Sequence, residues 1–101
     1  VDALNKAIDI NSEVPEYYYA LGNAYNFNKD NDNELVNYTK AIELNPDYGL
    51  AYYARGALNK TLARGDEAIS DLENYIRLNG NQDGLENEAK RLINDVKQGR
   101  F

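Results

Sequence analysis

The sequence predicts an all-α solenoid of stacked helical hairpins, and three observations carry that prediction. The chain repeats itself at an offset of 34: Tyr18-Tyr19-Ala20-Leu21-Gly22-Asn23-Ala24-Tyr25 returns as Tyr52-Tyr53-Ala54-Arg55-Gly56-Ala57-Leu58-Asn59. The same offset links Ala7 to Ala41, Ile8 to Ile42 and Ile76, Ile10 to Leu44 and Leu78, and Asn11 to Asn45 and Asn79. A fixed period of this size marks an array in which each unit buries the apolar face of the next. Within each period, apolar residues recur at three- and four-residue spacing, which is helical. Between these runs stand Pro, Gly, Asn and Asp, the residues that stop helices and turn chains.

The elements follow in order. Residues 1–11 carry apolar side chains at Val1, Leu4, Ala7 and Ile8, with Ile10 off the stripe. By the period, this is the second helix of a repeat, so the chain opens in mid-pattern, as a fragment of a longer array would. Asn11 to Val14 form the turn, and Pro15 suits a first helical position, where its missing N–H is no loss. The next helix runs to about Lys29. Gly22 and Gly56 sit mid-helix, where glycine costs about 1 kcal/mol against alanine. Their recurrence predicts that another backbone approaches closely at both places. Asn31 is read as the left-handed residue after this helix and Asp32 as the cap of the next, because Gly65 and Asp66 fall 34 residues later and Asn and Gly tolerate positive φ.

Leu35, Tyr38, Ala41, Ile42 and Leu44 make the next amphipathic helix, which Pro46 stops by pushing its predecessor out of the helical region. Asp47 is expected to cap a helix reaching Ala63, and Asp66 one from Glu67 to Asn79 that Gly80 ends. Asp83 and Glu86 have capping-box spacing. Leu85, Ala89, Leu92, Ile93 and Val96 then form one apolar stripe, with charged residues opposite and Gly99 as the stop. This last helix lacks the glycine and tyrosines of the repeat and fits the role of a cap. The expected division is one domain over 1–101: a half repeat (1–14), two whole repeats (15–48 and 49–82) and a capping helix (83–101).

Composition bounds the chemistry. The 101 residues contain no Cys and no His, and the formal charge is −6. Without Cys or His there is no disulfide framework, no thiolate or imidazole catalysis and no structural zinc site of the usual kind. The acidic balance disfavours nucleic acid and anionic membrane as partners. No apolar run is long enough to span a bilayer. No cofactor and no metal are expected. The Asp30-Asn31-Asp32-Asn33-Glu34 run echoes a calcium loop only faintly, since it lacks the glycine and the distal glutamate. The sequons at Asn37 and Asn59 lie inside predicted helices and are read as chance.

At Tyr18 to Tyr25 and Tyr38 to Pro46 the residues carry a family likeness. Tyr-Tyr-x-Leu-Gly-Asn-Ala-Tyr, a turn, then Tyr-x-Lys-Ala-Ile-Glu-Leu-Asn-Pro resembles the tetratricopeptide repeat, over nearly the whole chain. The resemblance implies a right-handed α-solenoid of helix–turn–helix repeats, acting as a non-catalytic protein-binding module. It also implies a groove lined by the first helix of each repeat: Glu16, Tyr19, Asn23, Asn26 and Phe27, then Leu50, Tyr53, Ala57, Lys60 and Thr61. Beside this stands the reading that Tyr19, Tyr53 and Asn23 are merely what such repeats contain. A carboxylate clamp of the kind known in the family is disfavoured, because Tyr19 and Ala54 stand where Lys and Asn are needed.

The departures from the pattern are informative. Glu34 replaces a small residue that Ala68 keeps, and Tyr75 replaces the alanine of Ala7 and Ala41. Arg55 replaces Leu21, and in the same repeat Asp71 replaces Asn37. A charge in a half-buried slot needs a partner, so Arg55 and Asp71 are expected to pair across the two helices. Three other roles stay open: self-assembly through the N-terminal edge, service as the regulatory arm of a larger protein, and catalysis of its own. The compartment is left open, with the cytoplasm favoured.

Overall fold

The computed structural model describes residues 2–79 and 84–101, and these are helical with no strand among them. Among the described residues six helices occur in order: α1 (Asp2–Ile10), α2 (Pro15–Phe27), α3 (Asn31–Leu44), α4 (Gly49–Thr61), α5 (Gly65–Asn79) and α6 (Glu86–Lys97). The chain divides into two compact units, Val1–Ala51 and Tyr52–Phe101.

The starts of the first helices come from a shared turn. Asn11 Oδ1 accepts the Glu13 N–H at 3.0 Å, and Asn45 Oδ1, one period on, accepts the Asp47 N–H at 3.1 Å. This side-chain turn is a local alternative to helix, and it explains why asparagine recurs there. Pro15 then occupies the first turn of α2 as expected. Asp47 does not cap α4: the helix begins at Gly49, so Tyr48 stands at the position before it and Asp47 belongs to the turn, where its N–H is donated to Asn45.

Helix ends hold the main correction to the sequence reading. At the ends of α2 and α4 the positive-φ residues are Lys29 (φ 59°) and Ala63 (φ 58°), not Asn31 and Gly65. After α2, Asp30 N–H reaches Tyr25 O at 2.9 Å and Lys29 N–H reaches Asn26 O at 3.0 Å. After α4, Arg64 N–H reaches Asn59 O at 2.8 Å and Ala63 N–H reaches Lys60 O at 3.0 Å. This pair of bonds satisfies carbonyls that would otherwise be left over, and it offsets the ~1–2 kcal/mol that a Cβ costs in the left-handed region. The cap of α3 is therefore Asp30, whose carboxylate accepts the Asn33 N–H, while Asp32 lies in the first helical turn. Asp66 likewise lies inside α5. Gly65 has a packing reason instead: a Cβ there would stand 3.2 Å from Val96 Cγ1 and 3.4 Å from Phe101 Cζ.

The mid-helix glycines also differ from expectation. A Cβ on Gly22 would lie 2.5 and 2.6 Å from Tyr38 Cε1 and Cδ1, and one on Gly56 would lie 2.8 Å from Leu72 Cγ. Side chains, not a second backbone, fill the space that the glycines leave. Tyr38 and Leu72 are one period apart, so the same slot receives a ring in one repeat and a branched aliphatic in the other.

The cores follow the apolar stripes. Leu21, Tyr38, Ala41 and Ile42 are buried in the first unit, and Leu58, Ala68, Leu72 and Tyr75 in the second, with Ala89, Ile93 and Val96 of α6. A buried leucine or tyrosine of this kind contributes about 1.5–3 kcal/mol. Helix α6 packs on α5 and keeps charged residues outward, where Arg91 bridges Glu88 and Asp95. Gly99, at φ 75°, ends it as read from the sequence. Helix α6 opens at Glu86, with Leu85 at the cap position making no side-chain bond. Asp83 and Gly80 lie outside the described residues.

Candidate functional site

The groove positions expected on α2 divide into an open rank and a packed one. Glu16, Asn23, Asn26 and Phe27 are exposed, and Phe27 reaches 88%. Tyr19 is half-buried, its ring centroid 6.0 Å from that of Tyr38 and 5.3 Å from that of Tyr48. Burial, helped by the charge of Glu16 and by Tyr19, pushes the Tyr48 hydroxyl up to about 12. That phenol therefore stays neutral at physiological pH.

Both asparagines of this face are tied from below. Tyr38 donates its hydroxyl proton to Asn23 Oδ1 at 2.6 Å, and Asn26 Nδ2 donates to Glu34 Oε2 at 2.9 Å. Glu34 is 1% exposed, and its Oε1 is buried without a hydrogen-bond partner. Desolvation raises the Glu34 pKa from the ordinary carboxylate value, opposed by the bonds to Asn26 and Tyr38. The Tyr38 hydroxyl is pushed up strongly, by burial first and the Glu34 charge second. Sequence reasoning noted Glu34 as a departure but did not place it inside. The signal was Ala68 at the equivalent position, which marks a slot sized for a small buried side chain.

On α4 the expected positions are more covered. Tyr53, Ala57 and Lys60 are half-buried, Leu50 is half-buried within the first unit, and Thr61 is exposed with its hydroxyl donated to Ala57 O at 3.2 Å. The Tyr53 ring meets Tyr75 edge-on at 5.2 Å. Burial, and the Glu88 charge after it, raise its hydroxyl pKa.

Beneath α4 lies the cross-helix pair. Arg55 Nε donates to Asp71 Oδ2 at 2.9 Å and Nη2 to Oδ1 at 2.8 Å, a two-pronged contact, and Asn59 Nδ2 adds a third bond to Oδ2 at 3.0 Å. The Asp71 side chain is 5% exposed and that of Arg55 22%. The Arg55 guanidinium also stands 5.8 Å from the Tyr52 ring centre, within cation–π range. The bond to Asp71 raises the Arg55 pKa against the lowering effect of burial. The paired charges hold α4 to α5 and are turned inward.

Asp30 caps α3 and Asn31 to Glu34 form its first turn. No described helix is long and apolar enough to cross a membrane.

The tetratricopeptide-repeat model matches residues 15–48. A UDP-N-acetylglucosamine–peptide N-acetylglucosaminyltransferase of Giardia intestinalis is 42% identical over 67 residues, 63% of this chain. The chain spans only 4% of that enzyme's length. Two crystal structures of MamA share the fold. One gives a TM-score of 0.74 at 26% identity over 96% of this chain and 56% of its own; the other gives 0.74 at 23% over 99% and 69%.

Proposed function

From the tetratricopeptide-repeat match over residues 15–48 and the all-helical fold shared with MamA, we propose that this chain is a non-catalytic module of that repeat type that takes a peptide or protein segment on the exposed face of α2. Repeats of this family generally mediate protein–protein interaction, and the finer assignment rests on Phe27. An aromatic ring 88% exposed, beside two asparagines whose amides are oriented from below, is a poor surface residue and a good anchor. Glu16 adds negative charge at the other end of the helix, so the occupant is neutral or basic near the contact. The equivalent positions of α4, Tyr53, Ala57 and Lys60, carry the same proposal for the second unit. The Giardia enzyme's activity is not carried over, because the shared stretch is 4% of that enzyme.

The test is a partner captured with the parent chain and then titrated by calorimetry against Phe27→Ala. The substitution removes an exposed ring and leaves the core intact, so a loss of about tenfold or more in affinity is expected. Unchanged affinity for every captured partner defeats the assignment.

A second reading, self-association through α1, has its own observation. Leu4, Ala7 and Ile8 are only half-buried, and Ile10 is 87% exposed. Light scattering over a dilution series decides it; a strict monomer at all concentrations removes it.

A further inference from the structure

The outer side of α3 carries a second opening in the first unit, distinct from the face of α2 just described. It is an open trough of about 520 Å³ with Tyr18 as one wall and Leu35, Val36, Thr39, Lys40 and Glu43 along the other. Tyr18 is fixed as a wall because its hydroxyl is donated to Ser12 O at 3.0 Å. Val36 is 63% exposed at its rim. An amphipathic helix exposes polar residues on its outer side, and α5 does so. One period on, Val36 becomes Ser70, Thr39 becomes Glu73, Lys40 becomes Asn74 and Glu43 becomes Arg77. Leu35 and Tyr18 keep apolar counterparts in Ile69 and Tyr52, so the exposed Val36 in place of Ser70 is what makes the wall of the first unit the more apolar.

Charge says what fits there. Residues 1–51 hold three Lys or Arg against nine Asp or Glu, and residues 52–101 eight against eight, so the formal charge of −6 belongs wholly to the first unit. The trough is therefore an apolar depression on a strongly acidic body, with a single basic side chain, Lys40, on its lining. A field of that sign draws in cations and repels acidic segments.

We propose that this trough docks a basic amphipathic helix, its apolar side chains against Tyr18, Leu35 and Val36, drawn in by the net negative charge of the unit and with a Lys or Arg flank set against Glu43. This is the helix-in-groove mode, read as anchors three and four residues apart.

The probe is a labelled Leu–Lys peptide of about 18 residues with leucines at helical spacing, compared with a Leu–Glu peptide of the same pattern. Binding to the full chain is followed by fluorescence anisotropy. The Leu–Lys peptide is expected to bind at least about tenfold more tightly than the Leu–Glu one, and less tightly as salt rises. Val36→Ser, which installs the residue of the other repeat at an exposed site, is expected to weaken it about tenfold. Val36→Leu and Phe27→Ala are expected to leave it unchanged. Equal binding of the two peptides overturns the proposal, as does indifference to Val36→Ser. Weakening by Phe27→Ala alone places the peptide on α2 and also overturns it. If the parent sediments as a dimer that Val36→Ser dissociates, a second copy is the occupant and the proposal fails.

Discussion

The two helix pairs α2–α3 and α4–α5 share a register and solve the same polar problem in opposite ways. In the second, Arg55, Asp71 and Asn59 make a closed set in which both carboxylate oxygens are satisfied. In the first, the same positions are Leu21, Asn37 and Tyr25, and the polar group has moved to Glu34, where Ala68 stands later. There one oxygen is bonded and the other is not. The second pair thus neutralises its charge internally. The first leaves a buried carboxyl half-satisfied directly beneath an exposed asparagine, on the unit that carries the chain's net charge. A repeat backbone tolerates either arrangement, because the departures come in compensating sets and the helices that carry them stay in place.

The largest expected effect tests the closed set. Asp71→Asn leaves the Arg55 guanidinium without its counter-charge at a mostly buried site and should cost about 3 kcal/mol in chemical denaturation. A midpoint equal to that of the parent would show the pair to be incidental. Next is Gly22→Ala. The new Cβ would stand 2.5 Å from the Tyr38 ring, so the ring must move and drag its bond to Asn23 with it. A loss of about 2 kcal/mol is expected, against the ~1 kcal/mol that alanine gains as a helix former. Gly56→Ala should be milder, since it meets the Leu72 side chain and Asp71 Cβ at 2.8–3.2 Å and leucine can change rotamer. Melting curves of the two variants rank them, and the reverse order would contradict the packing described.

The pH dependence separates the pairs further. Desolvation raises the Glu34 pKa above its unfolded value, so the folded state binds this proton more tightly. Its contribution to stability is full below the unfolded value and is lost as pH rises through the folded one. The parent should therefore gain stability relative to Glu34→Gln on acidification from neutral pH toward the ordinary carboxylate range. Parallel stability–pH curves for the two proteins would mean that Glu34 ionises freely. The smallest effect is on the surface: Phe27→Ala should change stability by no more than about 0.5 kcal/mol, which is what qualifies it as a probe of binding.

Much of this was legible in the sequence, and the exceptions have physical reasons. Pro15 and Pro46, with the apolar spacing between them, mark helices whose order the structure reproduces. The Arg55–Asp71 pair was legible because two departures fall in one repeat at positions that antiparallel helices bring together. Lys29 and Ala63 were not legible as left-handed residues, because their side chains give no sign of it; the two closing hydrogen bonds, not residue preference, hold that conformation. Glu34 stands out from sequence only as a departure at the slot where Ala68 recurs. Only the tertiary packing of α2 on α3 makes it a buried acid. Val36 reads as one stray surface apolar residue, and Tyr18, which makes it part of a trough, lies 18 residues away in sequence.

The claim that the two pairs are alternative fillings of one scaffold is tested most directly by a double-mutant cycle on Arg55→Leu and Asp71→Asn, which give the second repeat two of the three residues of the first and leave Asn59 in place. Each single change should lower stability by about 3 kcal/mol, and the double variant should recover to within about 1 kcal/mol of the parent, since a buried ion pair and a packed neutral pair are near equivalent. Losses that simply add, leaving the double variant the least stable of the four, would contradict it.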